Sequence, residues 1–378
     1  MRAAYGETTR QYFATKTDPK LLIDFAGVKI FESATVDTNI LLVENAVNKQ
    51  HTICAVASGK DKDSVRELSD FVRLNHAICS FTSSDSWIIL SSIEQSIKSK
   101  IESVGTPLSE WDINIYRGIL TGYNEAFLID SNKREELLAA CKSEDERKRT
   151  TELIRPILRG RDIKRYGYDW ANLWLIYVPW HFPLHKDPSI QGASPKAEDA
   201  FKKSYPTIYQ HLYQYKEDLS ARNQAETGIR YEWYAMQRWG ANYSDEFNKP
   251  KIIYPNMTKY MPFVWDTKQF ITNQKCFIIT GSNTAFLTAF LNSSLFKYCF
   301  RDSFPELQGG TRELSKVFFD KIPVIQPDEK TEKMFKDLVD DIQREYTVEK
   351  AKYIDKLVFD MYNLTEQERK LIGYIEIK

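Results

Sequence analysis

Short apolar runs separated by polar turns fill the first hundred residues, a pattern typical of strands in an α/β sheet. The runs predict strands at residues 21–25, 39–43, 52–57 and 87–90, and helical spacing predicts helices at residues 2–13 and 64–74. These strands are too few to close a sheet that carries helices on its faces. We therefore expect residues 1–103 to form the last part of a larger α/β domain.

A change in composition predicts a boundary near residue 103. The sequence SVGTPLSE at this point combines glycine, proline and polar residues, which are typical of loops. From residue 104 to residue 326, short strand-like runs alternate with polar loops, and longer helices are predicted at residues 133–154, 205–219 and 285–300. This alternation favours a mixed α/β domain.

The last part of the chain is charged and has apolar residues at helical spacing, among them Phe335, Val339 and Ile342. This spacing predicts amphipathic helices. The sequence TEQE at residues 365–368 has the spacing of a capping box, which predicts the start of a last short helix. The fold class predicted for the whole chain is mixed α/β (α+β). Its three predicted parts are residues 1–103, 104–326 and 327–378.

Composition narrows the class of protein without identifying it. Hydrophobic residues make up 42% of the chain and charged residues 28%, as in globular proteins, and no apolar run is long enough to cross a membrane. Lys and Arg total 52, equal to Asp plus Glu, so a generally basic nucleic-acid coat is excluded while local basic patches are not. The five cysteines lack the spacing of zinc or redox motifs, so we interpret them as free thiols in a cytoplasmic protein.

The sequence contains no recognisable catalytic motif. It lacks a Walker loop, a GxSxG elbow and a glycine-rich turn of the kind that binds S-adenosylmethionine. It also lacks a cluster of residues with the spacing of metal ligands. We therefore predict no catalytic residue and no metal ligand in this chain.

Basic residues cluster where the sequence reads RPILRGRDIKR, from residue 155 to residue 165. Such side chains hold phosphate groups, and the arginine fork matches two phosphate oxygens at once. A solvated, salt-bridged loop explains the cluster equally well, and a packed core is favoured for the neighbouring Trp174 and Tyr177. The candidate phosphate ligands are Arg155, Arg159, Arg161, Lys164 and Arg165.

A second cluster, residues 230–242, combines planar hydrogen-bonding side chains with aromatic rings, and we name it the reading segment. In the major groove, arginine reads guanine, and glutamine or asparagine reads adenine. A tyrosine-rich core with a polar rim, or a surface that binds glycan or protein, has the same composition. The predicted base-reading residues are Arg230, Gln237 and Arg238, with Trp233 and Trp239 as anchors and Gly228 and Gly240 as turning points.

Longer motifs, in a consistent order, resemble the C-terminal part of type IIG restriction-modification enzymes. The stretches MRAAYGETTRQYF and LLIDFAGVKIFESATVDTNILLVEN resemble the last strands of an adenine-N6 methyltransferase domain. Four further stretches resemble the TaqI-like C-terminal specificity domain: IYRGILTGYNEAFLID, LIRPILRGRDIKRYGYDW, KPKIIYPNMTKYMPFVWD and GGTRELSKVFFDKIPVIQP. The stretch YIDKLVFDMYNLTEQERKLI resembles the helical tail of these enzymes.

The resemblance implies sequence-specific recognition of double-stranded DNA that directs adenine-N6 methylation and cleavage. Asn256, Lys259 and Arg312 lie in the matching motifs and complete the candidate DNA-binding set. For the complete enzyme, S-adenosylmethionine and magnesium are the expected cofactors, and the target adenine is expected to leave the base stack.

The sequence also departs from the family pattern. The methyl-donor loop, the (N/D)PP(Y/F) tetrapeptide and the nuclease domain of the family do not occur in it. We therefore expect a fragment that is inactive alone and whose partners are DNA and the upstream methyltransferase and nuclease domains of the same polypeptide, without a membrane.

Three alternatives remain open at this point. Residual methyltransferase activity is disfavoured because nothing remains to hold the methyl donor. The chain is otherwise the recognition part of a nuclease-free phage-defence adenine methyltransferase, or a protein-binding assembly module. A salt titration distinguishes the DNA-binding hypotheses from the protein-binding one, because binding to DNA should weaken steeply as the salt concentration rises.

Overall fold

The structure, a computed structural model, describes residues 6–25, 30–31, 38–57, 67–85 and 87–376. Helices and small sheets are interleaved along these residues, so the predicted mixed α/β fold is confirmed. Contacts between residues divide the chain into two compact units. The first unit is Met1–Ser103 with Leu364–Leu371, and the second is Val104–Asn363 with Ile372–Lys378. The division into three domains remains a prediction.

The helices are α1 (Glu7–Lys16), α2 (Leu68–Asn75), α3 (Ser92–Val104), α4 (Asn124–Phe127), α5 (Ser131–Ala139), α6 (Glu144–Leu153), α7 (Pro195–Ser204), α8 (Pro206–Tyr213), α9 (Lys216–Ala221), α10 (Thr284–Asn292), α11 (Ser294–Phe300), α12 (Lys316–Phe319), α13 (Glu329–Arg344), α14 (Val348–Met361) and α15 (Glu366–Ile372). The strands are β1 (Asp18–Asp24), β2 (Asn39–Glu44), β3 (Thr52–Val56), β4 (Ala77–Cys79), β5 (Thr106–Pro107), β6 (Ile113–Arg117), β7 (Leu128–Asp130), β8 (Ile154–Leu158), β9 (Ile163–Lys164), β10 (Gly167–Tyr168), β11 (Leu173–Ile176), β12 (Lys251–Pro255), β13 (Met257–Thr258), β14 (Val264–Asp266), β15 (Ile271–Thr272), β16 (Cys276–Gly281), β17 (Arg312–Glu313) and β18 (Pro323–Val324).

The first unit is built on a four-stranded sheet of order β2-β1-β3-β4, in which β1 and β3 run parallel. Successive residues of a strand face opposite sides of the sheet. Leu22 and Cys54 accordingly pack with Ala14 of α1 on one face. Ile23 packs with Phe71 of α2 on the other face. The apolar run in β1 is therefore continuous because both of its faces are covered.

One predicted strand of the first unit is wrong. Residues 87–90 are apolar, yet they form no ladder, and β4 takes the sheet edge instead. Trp87 is buried and stacks on Phe81 with ring centroids 4.5 Å apart. Trp87 therefore contributes to the core without pairing in a sheet, whereas Ile88 is 53% exposed.

The helices predicted at residues 2–13 and 64–74 correspond to α1 and α2 where the structure describes them. Residues 1–5 and 58–66, which begin or precede those helices, lie outside the described residues.

Two four-stranded sheets form the second unit, with orders β15-β8-β11-β7 and β14-β12-β16-β6. In the first of them β8 is parallel to β15 and antiparallel to β11. The second sheet is antiparallel throughout. Ile157 and Leu175 from one sheet share a core with Ile253 and Ile278 from the other.

Each long helix predicted in the second unit is interrupted, so that two short helices replace it. Residues 133–154 form α5 and α6, and residues 285–300 form most of α10 and α11. The Ser143 side chain accepts a hydrogen bond from the Glu146 amide at the start of α6, and Ser293 accepts one from Phe296 at the start of α11. Such N-cap serines favour a new helix start over continuation.

The predicted tail contains the amphipathic helices α13 and α14. Phe335, Val339 and Ile342 are buried along one stripe of α13, as their spacing predicts. This helix packs on α10, all of whose residues are buried. Among the described residues, no helix is long and apolar enough to cross a membrane.

Candidate nucleic-acid interface

The backbone of the reading segment is fixed by pairing with the loop that follows β6. The amide of Arg238 donates to the carbonyl of Leu120 at 2.9 Å, and the amide of Leu120 donates back at 2.8 Å. The amide of Gln237 donates to the carbonyl of Thr121 at 3.2 Å. Arg238 and Gln237 therefore sit on an ordered backbone although the segment contains no regular strand.

Glycines turn the chain at the predicted places. Gly228 and Gly240 have φ of 77° and 79°, a left-handed conformation that is costly for other residues. A Cβ on Gly240 would also lie 2.9 Å from the ring of Tyr243. The turning role expected of both glycines is confirmed.

Aromatic side chains connect the reading segment to neighbouring parts of the second unit through hydrogen bonds. The indole of Trp233 is buried and donates to a carboxylate oxygen of Glu198 at 2.8 Å. The hydroxyl of Tyr177 donates to the carbonyl of Trp239 at 2.5 Å. Since a buried indole or phenol needs a hydrogen-bond partner, these contacts give the rings one orientation.

Arg222 ties the reading segment to its support through hydrogen bonds to carbonyl groups. Its guanidinium donates to the carbonyl oxygens of Leu219 at 3.1 Å and Trp233 at 2.9 Å, and to those of Thr121 and Ala235. Burial lowers the pKa of Arg222 to about 10, because no carboxylate offsets the lost hydration of the cation. Arg222 is thus a partly buried cation that donates several hydrogen bonds at once.

Arg222 was not predicted from the sequence as a functional residue. The only signal in the sequence is a single arginine after a short helix and before an aromatic run, which many surface arginines share. Only the tertiary structure brings Arg222 next to Gly122 and Gln237. A Cβ on Gly122 would lie 3.0 Å from both the Arg222 Cδ and the Gln237 Oε1.

The three predicted base readers differ in their exposure and in how many of their hydrogen-bonding groups already have a partner. Arg238 is exposed and makes no ion pair among the described residues. Gln237 is half-buried beside Arg222. Arg230 is exposed but pairs with Glu226 at 2.7 Å and lies 5.3 Å from the ring centroid of Trp180. Arg238 is therefore the reader with the most available hydrogen-bonding capacity.

The sequence RGRD in the basic cluster folds into a tight turn that separates its two arginines. The guanidinium of Arg159 donates two hydrogen bonds, of 3.0 and 2.8 Å, to the carboxylate of Asp162. These hydrogen bonds raise the pKa of Arg159. The Asp162 side chain also accepts from the Arg159 amide at 2.8 Å. The turn leaves Arg161 exposed and without an ion pair among the described residues.

Two further candidate phosphate ligands have partners within the second unit. Arg155 donates to Asn248 at 2.8 Å and to the carbonyl of Gln269 at 3.0 Å, and burial lowers its pKa. Lys164 is exposed and lies 3.5 Å from a carboxylate oxygen of Asp169. An exposed lysine pair of this kind is weak, so Lys164 remains available to another anion.

The prediction that Arg165 faces a phosphate is wrong in this structure. Arg165 is 4% exposed and donates to the carbonyl of Asn292 at 2.8 Å and to the hydroxyl of Tyr374 at 2.9 Å. Its guanidinium lies 3.8 Å from the carboxylate of Asp355, a residue whose pKa burial raises. Arg165 is a structural residue of the core.

The predicted DNA contacts in the later motifs also require correction. Arg312 is 8% exposed and is held by Asp302 at 2.8 Å and Glu306 at 2.7 Å. Asn256 is buried, and its backbone joins neighbouring segments. Lys259 alone of this group is exposed. Burial removes Arg312 and Asn256 from the accessible DNA-contacting set.

Comparison with known proteins identifies part of the second unit. Residues 155–324 match the family model of the TaqI-like C-terminal specificity domain. This match confirms the resemblance that the sequence motifs indicate, and the matched residues include Arg161 and the whole reading segment.

The chain is also similar to one curated protein and to two solved structures. The type II methyltransferase M.BstVI of Geobacillus stearothermophilus is 22% identical over 297 residues, which are 77% of this chain and 47% of that protein. The solved structure of the type IIG restriction endonuclease BpuSI matches with 12% identity and a TM-score of 0.42, over 96% of this chain and 46% of that chain. The type IIL restriction-modification enzyme MmeI, solved in complex with DNA, matches with 10% identity and a TM-score of 0.47, over 94% of this chain and 45% of that chain. The chain thus spans about half the length of each of these proteins.

Proposed function

We propose that this chain, which carries a TaqI-like C-terminal specificity domain, recognises a specific sequence in double-stranded DNA. The observation that carries the proposal is the family match over residues 155–324, because these residues hold the ordered reading segment. In this proposal the chain directs adenine-N6 methylation and cleavage by other segments of a restriction-modification enzyme. S-adenosylmethionine and magnesium belong to those segments.

The residues of this chain are assigned binding roles only. Among the described residues, no group of three or more His, Cys, Asp or Glu side chains is placed to hold a metal ion. We expect the chain alone to bind DNA without modifying it.

Arg238 is the proposed principal base reader. Its two backbone hydrogen bonds to Leu120 fix where the side chain starts, and its guanidinium has no competing carboxylate among the described residues. An arginine fork donates two hydrogen bonds to the O6 and N7 atoms of guanine in the major groove. Gln237 and Arg230 are proposed as secondary readers, since each has part of its capacity engaged.

Arg161, Lys164 and Lys259 are the proposed phosphate ligands among the residues predicted from the sequence. All three are exposed, and among the described residues only Lys164 forms an ion pair, with Asp169. Phosphate contacts position a protein on the duplex without selecting its sequence. Their contribution should therefore be the same for every duplex.

Salt dependence tests DNA binding directly. The dissociation constant of the 378-residue chain for a fluorescent duplex of about 30 base pairs and arbitrary sequence is measured across a series of salt concentrations. We expect the logarithm of the binding constant to fall linearly with the logarithm of the salt concentration, with a slope of several units, because bound cations displace counterions. A chain that shows no binding to duplex at low salt, and instead captures a protein, contradicts the proposal and favours an assembly module.

Arg238→Ala tests the reading role once a preferred sequence is known. We expect the variant to lose discrimination at one base position by about 1–3 kcal/mol while keeping its affinity for unrelated duplexes. Arg344→Ala is the matched control, because Arg344 is an exposed arginine of α13 outside the reading segment. Unchanged discrimination in Arg238→Ala would remove Arg238 from the readers.

A further inference from the structure

A short turn at residues 273–276 is clamped by neighbouring segments of the second unit. The amide of Gly118 donates to the carbonyl of Cys276 at 2.9 Å. The amide of Asn256 donates to the carbonyl of Lys275 at 2.8 Å. The turn therefore has a fixed position between the end of β6 and the end of β12.

Two glycines allow the segments to approach the turn closely. A Cβ on Gly118 would lie 2.1 Å from the carbonyl oxygen of Asn273 and 2.5 Å from that of Thr272, distances that no real side chain tolerates. A Cβ on Gly160 would lie 3.2 Å from the carbonyl oxygen of Lys275. The turn Gly160–Asp162, which carries Arg161, thus packs against residues 273–276 as well.

The segments that converge here each bring an exposed cation. Arg117 immediately precedes Gly118, Arg161 immediately follows Gly160, and Lys275 lies in the turn itself. Arg238 joins them through its backbone pairing with Leu120, three residues after Arg117. We name this set the turn surface; its members are Arg117, Arg161, Arg238 and Lys275.

The cations of the turn surface have no acidic partner among the described residues. All four are exposed, and none forms an ion pair in the part of the chain that the structure describes. Arg117 donates through Nε to the carbonyl of Gln274 at 3.0 Å, and its terminal nitrogens have no partner among the described residues. By contrast, Arg159 and Arg165 of the basic cluster face a carboxylate.

Tyr243 provides separate evidence that two of these cations are neighbours. Its hydroxyl donates to the carbonyl of Arg117 at 2.9 Å, and its ring stacks on Tyr116 with centroids 4.7 Å apart. Burial raises the pKa of Tyr243, and the charges of Arg238 and Arg117 both act against that rise. Arg117 and Arg238 therefore lie close enough to one phenol to influence it together.

Four exposed cations without a carboxylate partner among the described residues, carried on segments that are hydrogen-bonded to one another, form a basic surface that favours a polyanion. Arginine matches phosphate oxygens in a bidentate geometry, and lysine supplies a point charge. We propose that the turn surface binds the phosphodiester backbone of duplex DNA, with Arg117 and Lys275 as phosphate ligands beside the base reader Arg238. This inference rests on the proposed function. Arg161, Arg238 and Lys275 all lie within the matched specificity domain, which favours DNA over an acidic protein.

The test compares the double variant Arg117→Gln/Lys275→Gln with the unmodified chain on one duplex of arbitrary sequence. We expect the dissociation constant to rise about tenfold near physiological salt and the salt slope to fall by about 2, because two phosphate contacts are lost. Lys330→Gln/Lys333→Gln is the matched control, since it removes two exposed charges from α13 and should leave both quantities unchanged.

A single variant guards against a folding artefact. Lys275→Gln removes no side-chain hydrogen bond within the described residues, so circular dichroism should be unchanged while the salt slope falls by about 1. If the unmodified chain binds duplex but the double variant matches it in affinity and slope, the turn surface is not the phosphate site and the proposed function stands. If the unmodified chain fails to bind duplex at low salt, both the inference and the proposed function are overturned.

Discussion

Arg222 offers the sharpest prediction about stability, because this partly buried cation has no carboxylate partner among the described residues and is held by several carbonyl groups at once. The variant Arg222→Met keeps the aliphatic stem and removes the guanidinium. Each hydrogen bond to a charged donor stabilises a fold by about 1.5 kcal/mol or more, so the four carbonyl contacts together contribute about 6 kcal/mol. Burial of the charge opposes them by about 3 kcal/mol, as the drop of the Arg222 pKa to about 10 indicates. We expect Arg222→Met to lose about 3 kcal/mol.

Urea unfolding followed by tryptophan fluorescence measures this loss in the second unit, because seven of the eight tryptophans lie there. Arg230→Met is the control. Arg230 is exposed and forms an i,i+4 pair with Glu226, which should contribute about 0.5 kcal/mol. A loss below about 1 kcal/mol in Arg222→Met would mean that the carbonyl contacts only offset the burial of the charge, and would refute the reasoning.

Two further predictions concern close packing and pH. Gly118→Ala should destabilise the second unit by about 3–5 kcal/mol, because a methyl group at 2.1 Å from a carbonyl oxygen must push two hydrogen-bonded segments apart. Thermal unfolding measures this loss. Gly167→Ala is the control and should change the stability little, because its Cβ would meet nothing closer than 4.0 Å. In the first unit, burial alone would raise the pKa of Glu368, but the hydrogen bonds from Lys100 and neighbouring groups outweigh it and lower that pKa to about 2. The resulting stabilisation is present above the ordinary pKa of 4.5 and is lost as the pH falls toward 2. The difference in unfolding free energy between the unmodified chain and Glu368→Gln should therefore be up to about 3 kcal/mol at neutral pH and vanish near pH 2; a difference that does not change with pH would contradict the assignment.

Local sequence patterns predicted the fold class and several elements, but not the role of each charged residue. The pairing of Arg159 with Asp162 lies within a four-residue turn, so its spacing was visible in the sequence. The burial of Arg165 depends on Asp355 in α14, and no local pattern contains that contact. A basic cluster therefore predicts a charged surface without showing which of its members the core will use.

Arg117 and Lys275 were missed for the same reason. Each is a single cation in an ordinary segment, and they meet only because β6 pairs with β16 in a register that places Arg117 opposite Phe277. The one indication in the sequence is Gly118, because a glycine directly after a strand often marks the close approach of another backbone segment. The register that uses this glycine is set by core packing between distant segments and cannot be read from the sequence.

Selection from a library of random duplexes tests sequence-specific recognition by this chain. The 378-residue chain is incubated with the library at moderate salt, and bound duplexes are recovered, amplified and sequenced over several rounds. We expect enrichment of one defined sequence, and loss of preference at one of its positions when Arg238→Ala replaces the unmodified chain. Recovery of bound duplexes without any enriched sequence would contradict sequence-specific recognition by this chain.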